Sequence, residues 1–434
     1  MGKKMMTQFV RLLNEYCDSD ERKAFLSALD KKAVSSLLLN KEVLSEDTLC
    51  NSYQEIRKDK KDELLFRFDK EEEQLGKSLL HFAGGFYILD PSSAAISYYL
   101  APLLPPSPLV LDLCAAPGGK SIALALRRKD ALILANDLSY PRALEITRNT
   151  DRLGLSSILS LSLDPERLRL APLFDLLILD APCSGSGMIR KDPKMAEDWS
   201  EEKVQRLLPI QERLLEKASA LLKKGGILAY STCSFSVEED EDQIRAFLRR
   251  HPEMELLPVR TGKDILPGKD KLGYHLIPGI YDGEGIYFCF LRKKAGESYQ
   301  DSEIRYKTAS PIPGRQVFLY RKNEFLLPRM AASLADLPYI APGIKIHDDS
   351  DHPKCPFDHA YSKIAKDIPC YPLTEEEGIH YANGEEITTH ASVPDGLLIL
   401  TYQGLRLGFG KKVGLRIKNY LPKGLRMSLQ KQGA

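Results

Sequence analysis

Between Leu109 and Ser231 the chain alternates short apolar runs with stretches of helix length, and this alternation constrains the fold more than any other feature. Leu109–Leu113, Ala131–Ala135, Ile158–Leu163, Phe174–Leu179 and Ile227–Ser231 read as strands. Lys120–Arg128, Arg142–Leu153 and Lys203–Leu222 read as helices between them. Strands followed by helices of that size predict βαβ units. The expected domain is α/β and Rossmann-like, a mostly parallel sheet with helices on both faces.

The flanks differ. Residues 1–80 are charged and helical in texture, with 15 basic and 16 acidic side chains. A Pro-rich connector, Pro102–Pro108, leads into the first strand. From about Ser302 the chain turns to short strands, Pro and Gly turns and scattered aromatics, which predicts smaller α+β modules. The expected division is 1–80, 81–293, 302–372 and 373–434, in keeping with 434 residues at roughly 100–200 per domain. The net charge is only +1, yet eight Lys and Arg and no acid lie between Arg406 and the end. Arg406, Lys411, Lys412, Arg416, Lys418, Lys423 and Arg426 are therefore candidates for contact with nucleic-acid phosphates. The eight cysteines form no CxxC pair, which argues against a zinc ribbon or a disulfide scaffold and for a reducing compartment. No apolar run reaches the length of a membrane span, and no signal peptide is apparent. A soluble, cytoplasmic monomer is expected.

The strand at Leu109–Leu113 runs into Cys114-Ala115-Ala116-Pro117-Gly118-Gly119-Lys120. Small residues there let backbone amides approach a ligand at a strand's carboxyl end, and the following helix offers its positive end. Asp137, at the end of the next strand, suits a pair of ribose hydroxyls. Residues 114–121 also match a phosphate loop, except that Cys114 replaces its first glycine and Pro117 removes a backbone donor. A cofactor without phosphates fits better, and S-adenosyl-L-methionine is such a cofactor. A nucleoside triphosphatase built on Lys120 and Asp180, and an RNA-binding assembly factor without turnover, are the alternatives.

Two cysteines lie just past strand ends, in Asp180-Ala181-Pro182-Cys183-Ser184-Gly185-Ser186-Gly187 and in Ser231-Thr232-Cys233-Ser234. Both ends should face the same crevice. Carbon 5 of cytosine is too electron-poor to take a sulfonium methyl unaided. A thiolate adding to carbon 6 makes carbon 5 nucleophilic and is later eliminated. Asp180 is placed to hydrogen-bond the ring, and Lys120, Arg190 and Lys191 are candidates to favour the thiolate. The glycines after Cys183 predict an exposed, sharply turning backbone.

These segments resemble the NOL1/NOP2/Sun family of RNA (cytosine-5-)-methyltransferases. The likeness rests on Gly85–Ser93, Leu111–Lys120, Asp180–Pro193 and Tyr230–Ser234, in the family's order, over roughly residues 80–293. It implies a class I methyltransferase domain in which Cys114–Lys120, Asp137, Asp164 and Asp180 line the S-adenosyl-L-methionine site. It further implies that Cys233 is the nucleophile and Cys183 assists product release, whereas spacing alone would have favoured Cys183 for attack. The flanks resemble the RsmF-type branch, which acts on 16S ribosomal RNA. Leu397–Arg426 is similar to its PUA-like module, which coincides with the basic tail. Base flipping or a single-stranded target is implied, since the target base has to reach Cys233. The amino-terminal segment, expected to be a small α/β RNA-binding domain, departs from the family at Leu38-Leu39-Asn40, where an arginine commonly stands first.

Other features are expected to be structural. The His347, Asp348, Asp349, Asp351, His352, Cys355 and His359 cluster fits no common zinc spacing and reads as a polar loop, so no metal site is expected. Glu238–Asp242 reads as a solvated helix start. Trp199 reads as a packing anchor, and Tyr53, Tyr98 and Tyr99 as core residues.

Overall fold

A computed structural model describes residues 12–69, 74–191, 198–299, 301–304, 310–348, 355–389 and 393–429. The chain divides into two compact units, one of residues 1–36, 89–143 and 161–302, the other of 37–88, 144–160 and 303–434.

The first unit holds the alternating series. Its strands are β1 (Leu109–Asp112), β2 (Leu132–Asn136), β3 (Phe174–Asp180), β4 (Leu222–Thr232), β5 (Met254–Leu256), β6 (Leu266–Pro267), β7 (Tyr274–Leu276) and β8 (Ile286–Lys293). Its main helices are α1 (Pro91–Leu100), α2 (Gly119–Arg127), α3 (Glu201–Leu221) and α4 (Glu241–Arg250). Seven of the strands run in the order β6-β7-β8-β4-β3-β1-β2, and β5 pairs with β8. β2, β1, β3 and β4 are parallel, while β8 is antiparallel to β4. The expected Rossmann-like sheet is present. In β3 every residue from Phe174 to Leu179 is buried, as a strand covered on both faces requires. The chain passes from β1 to β2 on one side and returns to β3 on the other. The switch point between β1 and β3 is where such sheets bind ligands.

In the second unit, Arg57–Lys58, Leu65–Phe68, Ser35–Leu39 and Phe86–Leu89 form a four-stranded sheet in that order. A five-stranded sheet contains β9 (Gly396–Tyr402), β10 (Leu405–Val413) and β11 (Arg416–Asn419). One apolar cluster joins Leu39, Phe66 and Phe86 to Tyr381, Leu400 and Leu407, so sequence-distant segments share a core. Asn40 is buried, and its amide donates to Gly84 O and Leu153 O at 3.2 and 3.3 Å. No helix among the described residues is long and apolar enough to cross a membrane.

Of the polar cluster in the second unit, Asp349, Asp351 and His352 lie outside the described residues. His347 faces Glu324 at 3.2 Å, and Cys355 is buried in an apolar cluster.

Candidate active site

The sequence places β1, β3 and β4 side by side, and their carboxyl ends carry the chemistry. After β1 the chain turns through Cys114–Gly118, and α2 begins beyond Gly118, whose φ of +105° is one that a side chain would oppose. Asn136, fully buried at the end of β2, donates to Leu113 O at 3.1 Å and Leu163 O at 3.0 Å. It thereby fixes the Cys114 turn and the approach to Asp164. Asp137 accepts from the amides of Ala116 (3.3 Å) and Ser139 (2.9 Å), and Arg142 stands 3.4 Å away. Asp164 caps the turn that follows it by accepting from Glu166 N–H at 3.0 Å. Asp112, fully buried, accepts from Ser121 at 2.8 Å and has one carboxyl oxygen without a partner among the described residues. Burial, together with the nearby Asp180, pushes its carboxyl up to about 7.

Cys114 to Lys120, Asp137 and Asp180 thus sit at the ends of β1, β2 and β3, and Asp164 caps the turn Pro165–Arg167, with Asn136 and Asp112 as supports that sequence reasoning missed. The turn of small residues, the left-handed Gly118 and the orphaned Asp112 oxygen suit a polar, phosphate-free cofactor.

Asp180 is held from two sides. Lys120 Nζ lies 2.6 Å from one of its oxygens, and Ser231 donates to the other at 2.8 Å. The sulfurs of Cys183 and Cys233 are 3.2 Å apart, and Cys233 N–H points at Cys183 Sγ at 3.3 Å. Cys183 is driven well above the usual thiol range, first by its hydrogen bond with Cys233 and then by burial. The Lys120 ammonium is held charged by Asp180 and carries its field towards Cys233 as well. Of the three expected basic neighbours, Lys120 is the one at the site. Arg190 instead forms a buried pair with Glu284 at 3.0 Å and donates to Gly283 O at 2.8 Å.

Two expectations need correction. The turn after Cys183 is packed: Ser184, Gly185, Ser186 and Gly187 are buried. A Cβ on Gly187 would stand 2.3 Å from Gly285 O, so close backbone approach, not exposure, explains the glycine. The acidic run is also only partly solvated: Glu238 and Asp242 are exposed, but Glu239, Asp240 and Glu241 are fully buried. The Glu239 carboxylate accepts from Ser184 N–H at 2.9 Å, Ser234 Oγ at 2.6 Å and Gln211 Nε2 at 3.1 Å, and from the Ser184 hydroxyl. It therefore clips together the two turns that carry the thiols. Trp199 packs on Ile189 and donates its indole N–H to Ser184 Oγ at 3.1 Å.

In the basic tail, period two decides exposure. Lys411 lies opposite Lys418 and Val413 opposite Arg416, so Lys411, Arg416 and Lys418 share one exposed face. Lys412 points the other way. It is buried, 3.3 Å from Asp395 and donating to Gly414 O at 2.9 Å, and so is not available to RNA as expected. Lys423 and Arg426 are exposed, and Arg406 is half-buried and reaches Ser362 O at 3.3 Å.

The family model described as 16S rRNA methyltransferase RsmB/F matches residues 99–292, and that of the methyltransferase RsmF PUA domain matches residues 369–427. The chain is 30% identical over 398 residues to ribosomal RNA small subunit methyltransferase F of Shewanella sediminis, covering 81% of both. With the protein of the same name from Escherichia coli O157:H7 it is 30% identical over 406 residues, 83% of this chain and 82% of the relative. Among solved structures it is similar to a methyltransferase homologue from Pyrococcus horikoshii, with TM-score 0.56, 27% identity, and coverage of 68% of this chain and 100% of that one. NSun6 from the same organism shares the fold, with TM-score 0.59 and 19% identity, over 68% of this chain and 99% of that one.

Proposed function

From the chain's membership of the RsmF family of 16S ribosomal RNA methyltransferases, we propose that it forms 5-methylcytosine in small-subunit ribosomal RNA, with Cys233 as nucleophile and Cys183 assisting release. It is an S-adenosyl-L-methionine-dependent RNA (cytosine-5-)-methyltransferase. The observation that carries the reading is the pair of sulfurs 3.2 Å apart beside the Lys120–Asp180 ion pair, at the switch point of the sheet.

The cofactor, held by Cys114–Lys120, Asp137, Asp164 and Asp180, supplies an electrophilic sulfonium methyl. Cys233 forms a bond to carbon 6 of cytosine, which opens the 5,6 double bond and makes carbon 5 nucleophilic. Asp180, fixed by Lys120 and Ser231, hydrogen-bonds the ring as charge develops. Once carbon 5 is methylated, its proton passes to solvent base, the electron pair of that bond restores the 5,6 double bond, and the Cys233–carbon 6 bond breaks to release Cys233 as thiolate. Cys183, retained as a thiol beside Cys233, is placed to assist that elimination. This division of roles over the reverse follows the family resemblance, for the two thiols are equally half-buried and lie together at the site. The triphosphatase alternative loses its footing because Cys114 stands where the phosphate cradle needs glycine and Pro117 removes one of its backbone donors.

The exposed Lys411, Arg416 and Lys418 face would hold RNA phosphates. Lys411 and Lys418 stand directly opposite one another, an arrangement that is unfavourable unless an anion lies between them. Replacing all three by glutamine is expected to flatten the slope of log K against log salt by about 2 to 3, given ~0.7–0.9 per phosphate contact. Filter binding to 16S RNA at several salt concentrations reads this. An unchanged slope removes the face from the interface.

A further inference from the structure

Asp240 and Glu241, at the start of α4, and His275 in β7 bring ligand-type atoms within 4.8 Å of one another, and all three are buried. Part of their polar capacity is spent. Thr232 Oγ1 donates to Asp240 Oδ1, and Glu241 Oε1 faces Lys269 N–H at 2.8 Å and His275 Nε2 at 2.9 Å. Asp240 Oδ2, Glu241 Oε2 and His275 Nδ1 are buried and have no hydrogen-bond partner among the described residues. Tyr16 closes the site, its ring stacked on His275 with centroids 3.9 Å apart and planes 3° from parallel.

Buried polar atoms are nearly always paired, and three orphans in three touching residues call for a common partner. Two neighbouring carboxyls in an apolar setting also repel each other. A cation resolves both problems at once. Two carboxylates and an imidazole are donors that zinc-class ions accept, in sites with donor atoms about 3.3 Å apart for bonds of ~2.0–2.1 Å.

We propose that Asp240, Glu241 and His275 form a buried site for one divalent transition-metal ion of the zinc class. Its role is structural. Thr232, which holds Asp240, immediately precedes Cys233, and Glu239, which clips the two cysteine turns, immediately precedes Asp240. An ion here braces the start of α4 and β7 against the turn that carries the nucleophile. The inference does not depend on which cysteine attacks.

The test uses the full chain after chelation and dialysis, titrated with zinc and, for its spectrum, with cobalt(II). One equivalent should bind, and the melting temperature should rise with each tenfold excess of zinc. Cobalt should show visible bands without the near-ultraviolet thiolate band that coordination by Cys183 or Cys233 would add. His275→Asn and Glu241→Gln should lose both the spectrum and the zinc-dependent shift. If those variants do not fold, the wild-type titration still decides. No stoichiometric binding, a thiolate band, or binding that survives His275→Asn would each overturn the assignment.

Discussion

Methyl transfer by the Cys233→Ala protein is expected to fall by a factor on the order of 10⁴ or more, with S-adenosyl-L-methionine binding little changed. Without an added nucleophile, carbon 5 stays electron-poor. The residues proposed to hold the cofactor lie on the turns after β1, β2 and β3 and at Asp164, so removing a sulfur at the end of β4 should leave its affinity within about threefold. Single-turnover transfer of labelled methyl to 16S RNA, beside calorimetric titration of the cofactor, separates the two quantities. Substantial residual transfer would move the nucleophile's role elsewhere.

The second large effect falls on a residue that touches neither cofactor nor base. Glu239→Ala strips the acceptor from Ser184 N–H, the Ser184 and Ser234 hydroxyls and the Gln211 amide, all in a buried pocket. Orphaning such donors costs about 3–5 kcal/mol in total, and the melting temperature should drop by roughly 10 °C. The loosened turns also let the two sulfurs drift, and a displacement of about 1 Å is enough to cost ~10² in rate. Gln211→Ala leaves Glu239 its other three donors but also takes a donor from Pro182 O and an acceptor from Gln243, so it should cost less than Glu239→Ala, about 1.5–3 kcal/mol. Thermal melts with single-turnover rates on both variants check this, and a Glu239→Ala protein as stable as wild type would refute the clip.

The contrast between these two residues shows what one sequence discloses. Cys233 and Cys183 are legible because each follows an apolar strand directly, and strand ends in a parallel sheet converge. The Cys114–Lys120 turn is legible because its small residues join a strand to a helix. Glu239 is not legible, because its partners lie up to 55 positions away and an acidic run opening a helix matches the ordinary solvated pattern. The difference is orientation: the backbone before α4 turns Glu239, Asp240 and Glu241 inward. Lys412 fails for a related reason. A basic tail reads as one face until strand pairing assigns alternate residues to opposite sides. The second unit's shared core is likewise invisible locally, since Phe66 and Leu407 meet only once the chain has passed through the first unit and returned.

The central claim is the division of labour between the two thiols, and a trapped intermediate tests it most directly. Wild type, Cys183→Ala and Cys233→Ala would each be incubated with S-adenosyl-L-methionine and 16S RNA, then run on a denaturing gel. The account predicts a covalent protein–RNA band that accumulates in Cys183→Ala, where attack proceeds and release stalls, and no such band in Cys233→Ala. A band in Cys233→Ala that is missing from Cys183→Ala would contradict it and exchange the two roles.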